Sequence, residues 1–295
     1  MHPDEVDIDA TLVGRLVADQ FPEIGDVTIR PVRSTGTVNA IYRLGDHLYA
    51  RMPRAPEWAA DVETEWTCLP KLAPYLTLQI PKPVAKGRPA HGYPFPWSVY
   101  EWMEGDPYTD ALVDDESRAA RDLARFVEEL RQVELVTGIP RAGRQPLAEL
   151  DNETREAIEA ARDVIDAGAA ATAWERALDA PVWSGAPVWI HGDLLRPNIL
   201  VHRGRLRAVI DFGGAGLGDP ANDLIAAWSV FGPVGRTAFR QALEADDGTY
   251  ERARGIALHQ AVLIIPYYRE TNPDFVALAK RTVEEILADR VTGSS

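Results

Sequence analysis

The stretch from Trp189 to Leu224, WIHGDLLRPNILVHRGRLRAVIDFGGAGLGDPANDL, constrains this chain more than any other. Two short apolar runs inside it, NILVH and LRAVID, flank Gly204 and read as the strands of a β-hairpin. A hairpin returns to where it began, so Asp193 and Asn198 at its entry and Asp211 at its exit are expected at one cleft. Such oxygen-bearing groups suit phosphoryl transfer. Asn198 and Asp211 offer oxygen ligands of the kind Mg²⁺ takes, and Asp193 offers a separate carboxylate to orient an attacking hydroxyl and accept its proton. Any one Asp in a loop is more often a turn former or a helix cap. Their joint order around one hairpin is what favours chemistry.

Residues before and after the hairpin give it a setting. From Thr28 to Met52 run three alternating, β-rich segments, TIRPVR, NAIYRL and HLYARM, parted by turn residues at Ser34 to Thr37 and at Gly45-Asp46. A short amphipathic segment lies near Leu12 to Val17, and a helix is expected over Ala59 to Leu72. A proline-rich passage then leads to a further strand, WSVYEW, at Trp97 to Trp102. From Asp114 the pattern turns helical, with Leu123, Phe126, Val127, Leu130 and Val133 on one face and Ala157, Ile158, Ala161, Val164 and Ile165 on another. Beyond the hairpin, helices are expected over Asp219 to Phe231, Val234 to Ala245, Tyr250 to Ile264 and Pro273 to Asp289. With 295 residues, 46% of them hydrophobic, the chain can bury the core that two lobes require. The expected fold is α+β, with a small antiparallel β lobe over residues 1–104 and a larger, mainly α lobe over 105–295. The linker near Gly105 to Tyr108 marks their boundary.

Charge narrows the partners. Lys and Arg number 31 against 45 Asp and Glu, and the net charge of -14 repels nucleic acid and anionic membranes while suiting a cationic ligand. Cys68 is the only cysteine, which excludes an internal disulfide and a Cys-based zinc site and fits a reducing compartment. The start, MHPDEVDID, is acidic where a secretion signal would be basic and then apolar. The longest apolar stretch, around Ala261 to Ile265, is too short for a bilayer. The expectation is a cytoplasmic protein, monomer or weak homodimer, with neither nucleic acid nor membrane as partner.

The segment HGDLLRPN at His191 to Asn198, followed by IDFG at Ile210 to Gly213, resembles the aminoglycoside phosphotransferase family, small-molecule relatives of the protein kinases. That resemblance covers roughly Val32 to Tyr268 and implies a bilobal protein-kinase-like fold, ATP as donor with GTP possible, and Mg²⁺. It implies Asp193 as the catalytic base, Asn198 and Asp211 as metal ligands, and His191 as a brace for the loop. Asp219 and Asp223 match the family's D-P-x-x-D-L element and take structural roles, Asp223 by accepting backbone hydrogen bonds from the loop. Arg196 is a departure, since the family often has proline in its slot and here Pro197 comes one later. It is grouped with the catalytic residues, to touch a phosphate or else to face solvent.

In the first lobe, Ser34, Thr35, Gly36 and Thr37 match the family's nucleotide-covering loop, whose backbone N–H groups meet phosphate; alone, the stretch would be an ordinary hairpin turn. Arg51 stands where the family has lysine, and its planar fork is no replica of a compact ammonium. Glu65 is the expected partner of that cation, ahead of Glu63. The segment VYEWMEG at Val99 to Gly105 resembles the hinge, where the Glu101 carbonyl and the Met103 amide would bind the base. Tyr100 would then stand behind the base, as plain core or as a bulk that narrows the space for adenine.

The acceptor is expected over Asp193. Glu149, Asp151, Glu153, Glu156, Glu159, Asp163 and Asp166 make the preceding insert acidic, most of them on a solvated helix face. Tyr267, Tyr268 and Glu270, around a helix end broken at Pro266, are candidates for a pocket wall, although core packing is the commoner fate of tyrosines. The favoured activity is phosphorylation of a hydroxyl on a small cationic molecule of the aminoglycoside type. A macrolide, choline, homoserine or a sugar is the alternative acceptor. A catalytically impaired nucleotide-binding regulator is the reading from another class, motivated by Arg51 and by the Arg196-Pro197 order. No HRD or APE element follows the protein-kinase pattern, and no G-x-x-x-x-G-K-[ST] occurs.

Overall fold

In the first part of the chain, the computed structural model, which describes residues 6–32, 38–135 and 138–289, shows one antiparallel sheet of five strands. Its members are β1 (Ile29–Pro31), β2 (Asn39–Leu44), β3 (Leu48–Pro53), β4 (Pro83–Gly87) and β5 (Trp97–Glu101), in the order β1-β2-β3-β5-β4. The β2–β3 hairpin turns at Gly45, whose φ of 59° suits a residue without Cβ. Register sets Tyr49 opposite Tyr100 and Arg51 opposite Ser98. Alternation therefore puts Tyr49, Arg51, Ser98 and Tyr100 on one face and Ala50, Met52, Trp97 and Val99 on the other.

Each face has its helix. On the outer face, α1 (Ala10–Gln20), capped by Asp9 accepting from the Leu12 amide at 2.7 Å, packs Leu12, Val13, Leu16 and Val17 against Ala50, Met52, Trp97 and Val99. On the inner face lies α2 (Ala59–Leu72), which buries Val62, Glu65, Cys68, Leu69 and Leu72 along one helical stripe. Glu65 is the charged member of that stripe, and it marks the route to the site.

The second part holds α3 (Glu116–Gln132), α4 (Asp151–Ala160), α5 (Ala167–Leu178), α6 (Ala226–Ser229), α7 (Pro233–Ala242), α8 (Asp247–Tyr268) and α9 (Pro273–Ala288). Between α5 and α6 come β7 (Val188–Ile190), the hairpin of β8 (Ile199–His202) and β9 (Arg205–Val209), and β10 (Gly216–Gly218). The hairpin is widened by β6 (Asp106–Pro107) into an antiparallel set β6-β8-β9, and β10 pairs with β7. This pairing carries both hairpin ends, and the loop after β7, to the mouth between sheet and helices.

Several expectations need correction. The proline-rich passage contains β4, a sheet-edge strand with a register shift between Pro83 and Ala85, where proline removes no needed ladder bond. α5 carries no stripe of large apolar residues, since its buried face is Ala170 and Ala177 around Trp174. The stretch from Asp219 to Phe231 is not one helix, since a 3₁₀ turn at Pro220–Asn222 precedes the four-residue α6. Pro266 does not break α8, which continues to Tyr268; the missing N–H falls in the last turns, where Val262 and Ile265 hold the helix in the core. Among the described residues no helix is long and apolar enough to cross a membrane.

Candidate active site

The loop after β7 is fixed from beneath by one buried carboxylate. Asp223 accepts from the amides of His191 at 2.9 Å and Gly192 at 2.8 Å, one on each oxygen. Gly192 has a φ of 81°, which lets the chain turn at that contact. Burial pushes the Asp223 carboxyl upward, while His191 and the two amide bonds pull it back. His191, fully buried, bonds Ile210 O through Nε2 at 3.0 Å and accepts from the Asp193 amide through Nδ1 at 3.2 Å, a pair that one neutral tautomer satisfies. The ring thus ties the loop before the hairpin to the strand end after it.

Asp193 points its carboxylate between two side-chain amides. Asn198 Nδ2 donates to Oδ2 at 2.8 Å and to the backbone oxygen at 2.9 Å, and Gln260 Nε2 donates to Oδ1 at 2.6 Å. Burial and the nearby Asp211 raise the Asp193 carboxyl, and His191, Gln260 and Arg144 oppose them. A carboxylate held in plane and made more basic than usual is suited to take a proton from a hydroxyl.

Across the mouth, Arg51 joins sheet, helix and loop. Its Nη1 donates to Glu65 Oε1, and its Nη2 donates to Asp211 Oδ1 at 2.5 Å. Glu65 Oε1 also accepts from the Phe212 amide at 2.9 Å, and Oε2 accepts from the Tyr100 hydroxyl. Burial alone would lower Arg51, but Asp211 and Glu65 outweigh it and hold the guanidinium charged. Asp211 sits at φ 69°, an unusual conformation for a residue with a side chain, at the strand end where it meets Arg51. Beside it, a Cβ on Gly213 would stand 2.7 Å from Asp61 Cγ, so only glycine admits Asp61 there. Asp61 is raised to about 6 by burial, with Arg51 opposing and Asp211 and Glu65 adding to the rise.

At the expected hinge, the Glu101 amide donates to Lys82 O at 3.0 Å and the Trp102 amide to His47 O at 2.7 Å. Lys82 also pairs with the Glu101 side chain, and Arg43 lies 4.0 Å over the Trp102 ring. The Met103 amide has no acceptor among the described residues. Tyr100 is fully buried, its ring stacked on Tyr49 at 5.2 Å.

The structure thus brings Asp193, Asn198, Asp211, Arg51, Glu65 and Tyr100 into one connected array with His191 and Asp223 beneath. Asp219 stands apart from the mouth, capping its turn through the Ala221 amide at 2.9 Å and pairing with Arg252 at 2.8 Å. Arg196 does not face solvent. Only 7% exposed, it donates to Val230 O at 2.9 Å and to Asp110 at 2.6 Å, with its guanidinium 5.2 Å from the Tyr108 ring, contacts that brace the loop. Glu63 pairs with Lys86 on the surface. Tyr267 and Glu270 are exposed, and Tyr268 packs on Tyr267 and Phe275. Ser34, Thr35, Gly36 and Thr37 lie outside the described residues. Gln260 and Asp61 were missed. Gln260 had a signal in its sequence, a polar side chain inside the apolar run ALHQAVLII.

Residues 28–256 match a family described as APH, the phosphotransferase enzyme family. The chain belongs to that family. An uncharacterized protein of Bacillus subtilis (strain 168), YcbJ, is 28% identical over 203 residues, a match covering 62% of this chain and 62% of that protein, less than two thirds of its length. Among solved structures, the GDP and kanamycin complex of APH(2″)-IIIa superposes with a TM-score of 0.72 at 23% identity, covering 94% of this chain and 98% of that one. Macrolide 2′-phosphotransferase type I gives a TM-score of 0.62 at 19% identity, covering 95% and 98%. These likenesses show the kinase-like fold of the family.

Proposed function

We propose that this chain transfers the γ-phosphoryl group of a nucleoside triphosphate to a hydroxyl of a small molecule, with ATP as the donor and an aminoglycoside as the favoured acceptor. The observation that carries the reading is the Asp193 carboxylate, clamped between Asn198 and Gln260 and set beside Asp211 at the mouth between sheet and helices. In this reading Asp193 takes the proton from the acceptor hydroxyl as its oxygen attacks phosphorus, and Arg51 balances charge on the phosphates.

The residues present fit Mg²⁺. Asn198, whose nitrogen is spent on Asp193, turns its oxygen elsewhere, and Asp211 adds a carboxylate. Among the described residues no group of three or more His, Cys, Asp or Glu side chains is placed to hold a metal ion. Two oxygen side chains, completed by water and phosphate, are what a nucleotide-bound Mg²⁺ takes in place of a protein cage. When bound, the ion would neutralise phosphate charge and align the transferred group. The Glu101 carbonyl and Met103 amide would hold the base.

The aminoglycoside preference rests on the net charge of -14 and on the neighbour solved with kanamycin. A macrolide is the second reading. It is supported by the likeness in fold to macrolide 2′-phosphotransferase type I. The test is turnover of MgATP and MgGTP with kanamycin, gentamicin, a macrolide, choline and homoserine in turn, the product identified by mass. Phosphorylation of an aminoglycoside with ATP is expected. Turnover with a macrolide alone would favour the second reading, and nucleotide binding without turnover on any acceptor would favour the regulator.

A further inference from the structure

We infer that the Tyr100 hydroxyl acts on the phosphate end of the nucleotide site, by positioning Arg51 and Asp211 through Glu65, rather than on the choice of base. This rests on the nucleotide site proposed above and deepens it. By sequence position Tyr100 belongs to the hinge, and its bulk invites a role in selecting the base. Its one polar atom, however, faces the other way. The hydroxyl donates to Glu65 Oε2, while Glu65 Oε1 receives Arg51 Nη1 and the Phe212 amide.

Glu65 is 1% exposed and Arg51 is 6% exposed, so water cannot replace a lost partner at either. A buried carboxylate depends on having its lone pairs met, and its orientation is set by the donors that meet them. The Tyr100 hydroxyl is the donor on the second oxygen; without it the carboxylate can turn about its last torsion, which is soft for a carboxyl group. Everything held on the first oxygen would turn with it. Arg51 carries the motion to Asp211 through its 2.5 Å bond, and Phe212 carries it to the same residue along the backbone. Tyr100 itself cannot follow, because its ring is fully buried and stacked on Tyr49. It is therefore a fixed post against which the Glu65, Arg51 and Asp211 chain is braced.

Tyr100→Phe removes the hydroxyl and keeps the ring. The probes are MgADP, MgGDP and magnesium tripolyphosphate, which lacks a base, titrated calorimetrically against the full chain. Loss of a partner that orients a metal ligand costs about 10–100-fold in affinity. All three probes are expected to weaken by a similar factor of that order, with the ratio of ADP to GDP affinity unchanged. Tyr100→Phe with a changed ADP to GDP ratio and normal tripolyphosphate binding would overturn the inference and restore Tyr100 to the base. A lowered melting temperature with all three affinities intact would also overturn it, as the hydroxyl would then serve stability alone. Glu65→Gln keeps shape but weakens the grip on Arg51, and the same uniform loss is expected from it. Failure of wild type to bind either nucleotide would instead sink the proposed function, a result distinct from any shown by the variants.

Discussion

Two carboxylates of the candidate site, one on each side of the hairpin, are held in opposite ways. Asp193 is held by neutral amides and raised in pKa, whereas Asp211 is held by the Arg51 cation. Asp193→Asn should lower kcat by about 10²–10⁴ with nucleotide affinity spared, and Asp211→Asn should weaken Mg²⁺-nucleotide binding instead. Steady-state kinetics paired with calorimetry would separate them, and matching losses in both assays would refute the division. Gln260→Met, which keeps length and removes the donor, belongs with the first group: a fall in kcat of about tenfold with nucleotide KM unchanged is expected. Arg196 is different in kind. Its Val230 and Asp110 bonds make it a brace, so Arg196→Ala should cost about 1–3 kcal/mol of stability in denaturant titration and leave nucleotide affinity alone. A loss of affinity without loss of stability would return it to the phosphates. No pattern in the sequence could separate these fates, because a guanidinium serves carbonyl and phosphate oxygens equally well.

Elements that carry a period were legible, and those shaped by contact were not. The hairpin around Gly204 and the stripe on α2 follow alternation and helical spacing, and the structure has them over Ile199–His202, Arg205–Val209 and Ala59–Leu72. β6, β7 and β10 are two or three residues long and exist because partners happen to lie beside them. Gln260 belongs to this second kind, since its place over Asp193 depends on how α8 is rotated. That rotation is set next door: His259 Nδ1 meets Thr154 Oγ1 of α4 at 2.8 Å, its ring is 6.3 Å from Trp174 of α5, and Glu153 lies 4.0 Å from Nε2. Burial, with Arg144 adding, lowers His259 from 6.5 to about 4. Because a base depressed in the folded state binds its proton more readily unfolded, this contact supports stability fully above pH 6.5 and loses it as pH falls toward about 4. His259→Gln should flatten the melting temperature across that window relative to wild type. An identical acid slope in the variant would show that α8 is held otherwise.

At the scale of the whole molecule, the expected boundary at residue 104 divides the chain but not its core. One cluster joins α1 to the outer sheet face through Leu16, Met52, Trp97 and Val99. The other begins inside the first lobe, at Cys68, Leu69, Leu72 and Tyr100, and runs without a break to Leu123, Phe212, Trp228 and Leu258. Neighbouring residues of β5, Val99 and Tyr100, thus serve different cores, a consequence of strand alternation that only the placement of α2 reveals. A residue-by-residue reading sees two lobes because motifs change there, and it cannot see that α2 and Tyr100 pack with the helices beyond. Lobes that share a core should unfold together. Trp97 lies in the outer cluster and Trp228 in the larger one, so the fluorescence each contributes among the eight tryptophans, taken as the difference between wild type and its Trp97→Phe or Trp228→Phe variant, should follow the same melt as circular dichroism. A nucleotide held between sheet and helices should move the single transition as a unit, since ligand at about 100 times Kd adds about 2.7 kcal/mol to the folded state. That corresponds to an upward shift of several degrees in both variants. Two separated melts, or a nucleotide shift seen by Trp228 and not by Trp97, would mean that the sheet and its α1 form an independent unit and that the continuity through α2 is too weak to couple them.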